Sequence, residues 1–166
     1  MDWTEASLET FRYHRHDVQN ALQLIRGYIQ LNRPNQAIEV VDGLSSWLHS
    51  LTLISNLGPE ASPWVNAAAQ CPHVVLTELS GGRSASLADY EALADSWRWF
   101  DGAATEQAIR SAKASVHFFE ESPTNTDAFT VDSRFMIRVQ SDELTDRFFQ
   151  HQDNICEAAQ HFIFLA

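Results

Sequence analysis

The sequence predicts an α+β protein: an N-terminal antiparallel helical hairpin over residues 1–57, then a small α/β sandwich over residues 58–166. Three observations carry this. Apolar residues in the first third recur at helical spacing, a Gly-Pro pair stops that pattern, and short β-rich runs then alternate with two or three helical stretches. With 166 residues, 45% of them apolar and 11% aromatic, the chain has ample material for a packed core.

In the first helix, Phe11, Val18 and Ile25 recur every seven residues. Leu8, Leu22 and Ile29 fill the complementary positions, with Arg15 interrupting. Thr4 suits the N-cap, with Ser7 in its place if the first turn frays. Asn32-Arg33-Pro34-Asn35 breaks the pattern, because proline disfavours a helical residue before it and is tolerated at a new helix start. The second helix carries Ala37, Val41, Leu44, Leu48 and Leu51, widened by Ile38, Val40, Trp47 and Ile54, and stops near Asn56-Leu57-Gly58-Pro59. Two helices cannot bury stripes this wide against each other. A second copy completing a dimeric four-helix bundle is the economical solution, and cover by the second half of the same chain is the other.

Beyond residue 57 the period changes. Trp64 to Gln70 reads as a short helix between Pro63 and Pro72, and His73 to Leu79 as a strand ended by Gly81-Gly82. Leu87 to about Ala103 reads as a helix with Leu87, Tyr90, Leu93, Ala94, Trp97 and Phe100 on one face. Strands follow at Ala114 to Glu120, Ala128 to Val131 and Phe135 to Val139. A charged helix around Asp142 to Gln150 and a last strand at His161 to Leu165 complete the reading.

Charge is uneven. Of the formal −11, the first 57 residues contribute four arginines and six acids, and the rest seven basic residues and sixteen acids. So acidic a second half repels nucleic acid and anionic lipid, and neither is an expected partner. Cys71 and Cys156 form no CxxC pattern, and no secretory or membrane-spanning segment stands out, so a cytoplasmic protein with reduced thiols is expected. His73, His117, His151 and His161 lack metal-ligand spacing, so no metal site is expected.

The chemistry-bearing stretch runs from His14 to Gly27. On a helix, Arg12, Gln19, Asn20 and Gln23 share a polar face with His16, while Val18, Leu22 and Ile25 face the apolar seam. His16 thus stands at the seam's margin, where a neutral imidazole can take a phosphoryl group from a partner's aspartate or hand one on. Asp17 can orient the ring, and Arg12 or Arg15 can screen the incoming charge. His14 reads as an exposed neighbour.

The run Arg15-His16-Asp17, Asn20 and Leu22-Gln23-Leu24-Ile25-Arg26-Gly27 closely resembles the sporulation initiation phosphotransferase B family, and more loosely citrate-type and quorum-sensing sensor kinases. The resemblance implies a homodimeric four-helix bundle and a C-terminal domain like a degenerate histidine-kinase ATP-binding domain that does not use ATP. It implies that His16 accepts phosphate from the aspartate of one response regulator receiver domain and passes it to another, as in sporulation initiation. His16, Asp17 and Asn20 would then be catalytic, and Arg12, Arg15, Gln19 and Gln23 would meet the partner. No cofactor is expected in this chain, since the Mg2+ for transfer belongs to the regulators. None of the six glycines falls in the glycine-rich spacings of a kinase ATP site, which disfavours autokinase activity. The competing readings are a non-catalytic adaptor that binds a response regulator, and a degenerate sensor kinase.

Overall fold

The helical spacing of the first third is realised as two long helices in a computed structural model that describes residues 5–82, 85–118, 135–140 and 162–164. They are α1 (Glu5–Gln30) and α2 (Pro34–Ser55). A one-turn 3-10 segment (Pro59–Ala61) and α3 (Ser62–Ala68) lead into β1 (Val74–Ser80), α4 (Leu87–Glu106), β2 (Ala112–Phe118), β3 (Phe135–Gln140) and β4 (Phe162–Phe164). The protein is therefore a mixed α+β molecule. The strand expected at 128–131, the helix expected at 142–150, Thr4 and Cys156 lie outside the described residues.

Local chemistry accounts for the boundaries. Asn32 ends α1 in the left-handed conformation (φ 54°), with Arg33 N–H donating to Tyr28 O at 2.8 Å and Asn32 N–H to Ile29 O at 3.1 Å. These paired bonds satisfy carbonyls the helix end would otherwise leave open, and asparagine tolerates that conformation better than most residues. Pro34 then begins α2, where its missing N–H costs nothing. Ser86 caps α4 through a reciprocal box: its hydroxyl accepts from Asp89 N–H, and the Asp89 carboxylate accepts from Ser86 N–H.

The sheet runs β1-β2-β3-β4, with β1/β2 and β3/β4 parallel and β2/β3 antiparallel. Alternation sets its faces. Ala112, Ala114, Val116, Phe135, Ile137 and Val139 are buried, whereas Ser115, His117, Met136 and Arg138 are half-exposed between them. The buried face shares one core with Trp64 of α3 and with Tyr90, Leu93, Trp97 and Phe100 of α4, and Trp64 and Trp97 meet edge to face at 5.2 Å. Leu87, expected on that face, is 54% exposed, although Ala85 and Tyr90 on either side of it are buried. Gly82 is obligatory. At φ 98° a Cβ would lie 2.8 Å from the Phe118 ring.

The core does not stop at residue 57. Ile54 of α2 belongs to it, with Leu51, Leu53 and Leu57 packed against it. Strand β1 is an edge strand, and α2 covers its open side through Ser50, whose buried hydroxyl accepts from Leu76 N–H at 2.8 Å and donates to Ser46 O. Where pairing slips between Leu76 and Glu78, the Thr77 hydroxyl donates to Ala114 O in place of a ladder bond. Cover by the same chain is partial: Leu8, Phe11, Leu22 and Ile29 of α1 and Ile38, Val41 and Leu48 of α2 stay exposed.

Two stability changes follow. Ser50→Ala leaves Leu76 N–H buried without its acceptor and should cost about 1–3 kcal/mol in urea unfolding. Ala108, which closes α4 at φ 56°, adopts a conformation suited to glycine, so Ala108→Gly should stabilise by about 1 kcal/mol, read as a raised Tm.

Candidate functional site

His16 lies midway along α1 with its side chain 71% exposed. Its Nδ1 is 3.1 Å from Asn20 Nδ2, one helical turn on, and 3.5 Å from Asp17 Oδ1. Nδ1 is thus the nitrogen the protein engages, while Nε2 has no hydrogen-bonding partner among the described residues. When Nδ1 is unprotonated, the Asn20 amide can donate to it; when it carries a proton, the Asp17 carboxylate can accept. The pair can therefore serve either protonation state of Nδ1 and leave Nε2 outward.

The other residues singled out by sequence fall around this ring. Arg12, Arg15, Gln19 and Gln23 are exposed along α1, and Asn20 and Gln23 line a shallow concavity with Leu24, Gly27, Tyr28 and Leu31. Asp17 differs. It is half-buried and also lines a larger groove of about 1170 Å³, whose walls come from α1, α2 and the start of β1 and β2. His14 is not the exposed neighbour expected from sequence. Its ring packs 4.8 Å from that of Trp47 and its Nδ1 is buried, because a two-residue step on a helix turns it away from His16 and toward α2.

The groove is also lined by His73, one of the histidines that the sequence shows without metal-ligand spacing. His73, just before β1, donates its backbone N–H to Asp101 Oδ1 of α4 at 2.9 Å, and its Nδ1 lies 3.1 Å from the same oxygen. The Thr105 hydroxyl stands 3.4 Å from that Nδ1 and donates to Asp101 O. The Asp101 hydrogen bond raises the His73 pKa above its ordinary value; burial opposes this, and the charges of Asp101 and Asp17 add to it. Twenty-eight residues separate the partners, so no local spacing could have paired them. A second such pair, Ser80 with His117 at 2.7 Å, arises because these residues face each other across β1 and β2.

Neighbouring Cys71 is a buried free thiol whose pKa is pushed up to about 12, mainly by burial and then by the Asp101 charge. It stays neutral and unreactive at physiological pH. No cluster of three or more potential metal ligands occurs among the described residues, and none of the described helices is long and apolar enough to cross a membrane.

The site thus consists of a solvent-facing histidine on a long helix that packs through α2 onto an α+β core. Residues 1–57, which hold α1 and α2, match the family model described as Sensor_kinase_SpoOB-type, alpha-helical domain, and that segment is similar to the helical domain of a sensor-kinase and phosphorelay-related family. Neither the curated proteins nor the solved structures give a match.

Linkage fixes the sign of a pH effect. Because the folded-state pKa of His73 is raised, its contribution to stability is fully present below the unfolded value of about 6.5 and is lost as pH rises through the folded value. Urea unfolding of wild type and Asp101→Asn across this range should differ most on the acid side, with the gap narrowing toward alkaline pH.

Proposed function

We propose that the protein is a histidine phosphotransferase that moves a phosphoryl group from the aspartate of one response regulator to His16 and on to the aspartate of a second, in a relay of the kind that initiates sporulation. The observation that carries this reading is the His16 ring itself, with Nδ1 engaged by Asn20 and Asp17 and Nε2 outward, inside a segment that matches a SpoOB-type domain.

In the reactive tautomer Nδ1 holds the proton toward Asp17, and the Asn20 amide turns its oxygen to the same hydrogen. The Nε2 lone pair attacks the phosphorus of the regulator's aspartyl phosphate, the P–O bond to the carboxylate breaks, and the Nε2–P bond forms. Asp17 offsets the positive charge on the phosphorylated ring. The reverse step, toward a second regulator's carboxylate, regenerates the free imidazole. Arg12, Arg15, Gln19 and Gln23 form the docking face for the receiver domains, which carry the Mg2+; we assign no cofactor to this chain and no use of ATP. The protein works in the cytoplasm as a homodimer. Leu8, Leu22 and Ile29 share one heptad register of α1, and Val41 and Leu48 share one of α2, and all five are exposed, the surface a four-helix bundle would bury.

The test is transfer from a 32P-labelled receiver domain with Mg2+. Wild type should take up label that is lost in acid and survives base, as expected of a phosphoramidate. His16→Ala should stay at background while still binding the regulator, and ATP alone should give no label. Base-labile label would instead locate the phosphate on a carboxylate. Regulator binding without transfer would favour an adaptor. For the dimer, Leu22→Glu should convert a sedimenting dimer to monomer; a wild type that sediments as a monomer at micromolar concentration would overturn it.

A further inference from the structure

Exposed apolar side chains on α1 fall into two separate stripes. At about 100° per residue, Phe11, Leu22 and Ile29 stand about 220–240° round the helix from His16, on the side a second copy would cover. Tyr13 and Leu24 stand about 60–80° from His16, and Leu31, whose N–H still donates to Gly27 O at 3.0 Å, continues that line. Each of these three is more than half exposed. The stripes lie roughly 160° apart, so one bundle interface cannot bury both. The C-terminal half leaves the second stripe open as well.

Between Leu24 and Leu31 the helix surface sinks. Gly27, about 20° from His16, floors a shallow concavity with Asn20, Gln23, Leu24, Tyr28 and Leu31. A glycine inside a helix costs stability relative to alanine, and a close contact or a special backbone angle is the usual reason for it. Neither applies within the described residues: a Cβ on Gly27 would meet nothing within 4 Å, and its φ is not positive. Gly43 of α2 and Gly102 of α4 are equally unobstructed, but Gly27 is the one on the His16 face.

A partner that reaches His16 must also cover this ground. A specific interface occupies about 800 Å² of each protein, a patch roughly 30 Å across, with an apolar centre inside a polar rim. Leu24 lies about 12 Å along α1 from His16, and Gly27 about 16 Å. Arg12, Arg15, Gln19 and Gln23 are all polar, so they supply rim and no apolar centre. The two arginines lie on the other side of His16 from the stripe, where their charge suits the carboxylates that hold a receiver domain's Mg2+.

We propose that Leu24, Gly27 and Leu31 are the apolar seat of the regulator's receiver domain, and that Gly27 is bare so that an apolar side chain of that domain can rest against the α1 backbone. This deepens the phosphotransfer reading of His16 and rests on it. Basic residues on one side of the ring meet the partner's carboxylates and apolar ones on the other meet its hydrocarbon. The receiver domain is thereby set over the ring in a single orientation.

The test measures binding and transfer separately on the full chain, with a 32P-labelled single-domain response regulator and Mg2+. Leu24→Glu and Gly27→Leu should each weaken receiver binding in calorimetry, and slow transfer at subsaturating regulator, on the order of tenfold. Both should sediment like wild type, and Gly27→Leu should melt no lower, because leucine favours a helix more than glycine does. Should Gly27→Leu fail to fold, Leu31→Glu serves in its place. Wild-type binding and transfer in both variants would overturn the proposal and leave the phosphotransfer reading standing. Binding by wild type without transfer, with that binding lost in the variants, would overturn the transfer reading and keep the seat. A Leu24→Glu chain that turns from dimer to monomer would assign the stripe to a second copy and overturn the proposal. A wild type that binds no receiver domain would overturn both.

Discussion

The arrangement of the whole molecule depends on Trp47. Its indole is 2% exposed, its Nε1–H donates to Ala68 O at the end of α3 at 2.8 Å, and its ring packs against His14 of α1. One side chain therefore ties α1, α2 and α3 together where a pair of helices would otherwise pivot on the core. Hydrophobic burial alone would permit sliding; a buried N–H with a single well-placed acceptor does not, because leaving it unpaired is costly. Ser50, one turn further along α2, adds a second directional bond to the edge of β1. These two bonds anchor α2 to α3 and to β1, and the Trp47–His14 ring contact carries that anchorage to α1.

Much of this was legible in the sequence because it is local. Helices α1 and α2 follow from apolar spacing and the Asn32–Pro34 break, and α4 from its apolar face, although the Ser86/Asp89 box that starts it is a sequence signal too. Strands β1, β2, β3 and β4 fall within a few residues of their expected places. The unreadable part is tertiary. Trp47 meets a carbonyl 21 residues away, Ser50 an amide 26 away and His73 a carboxylate 28 away, and no short pattern encodes those separations. For the site, the turn from His16 to Asn20 was visible as an i,i+4 step. The other side of Asp17, facing the groove, was not, since it depends on how α2 and the starts of β1 and β2 come to line one groove with α1.

His14 shows how a correct periodicity can be under-used. Two residues on a helix correspond to about 200° of rotation, so His14 and His16 cannot share a face. Reading His14 as an exposed neighbour kept only its proximity in sequence and ignored the direction. In the structure His14 belongs to the packing that fixes α1 against Trp47, and His16 to solvent. Two histidines one residue apart thus divide into a packed one and a solvent-facing one, and on the proposed reading the packing of the first serves the second, since a ring that is to meet a partner's phosphoryl group needs a helix that does not roll.

The same geometry explains why Asp17 is the one polar residue of the site that is not fully given to solvent. An acid on the outer face would help His16 only through a bond that water weakens. A half-buried acid on the boundary between α1 and the groove experiences less screening and can be held by charges from the other half of the chain. That other half is acidic as a whole, yet it brings His73, Arg110 and Lys113 to the groove that Asp17 lines. The fold thus keeps the Asp17 carboxylate, 3.5 Å from His16 Nδ1, at the edge of a groove that both halves of the chain line, so a change in either half can reach the surroundings of that ring.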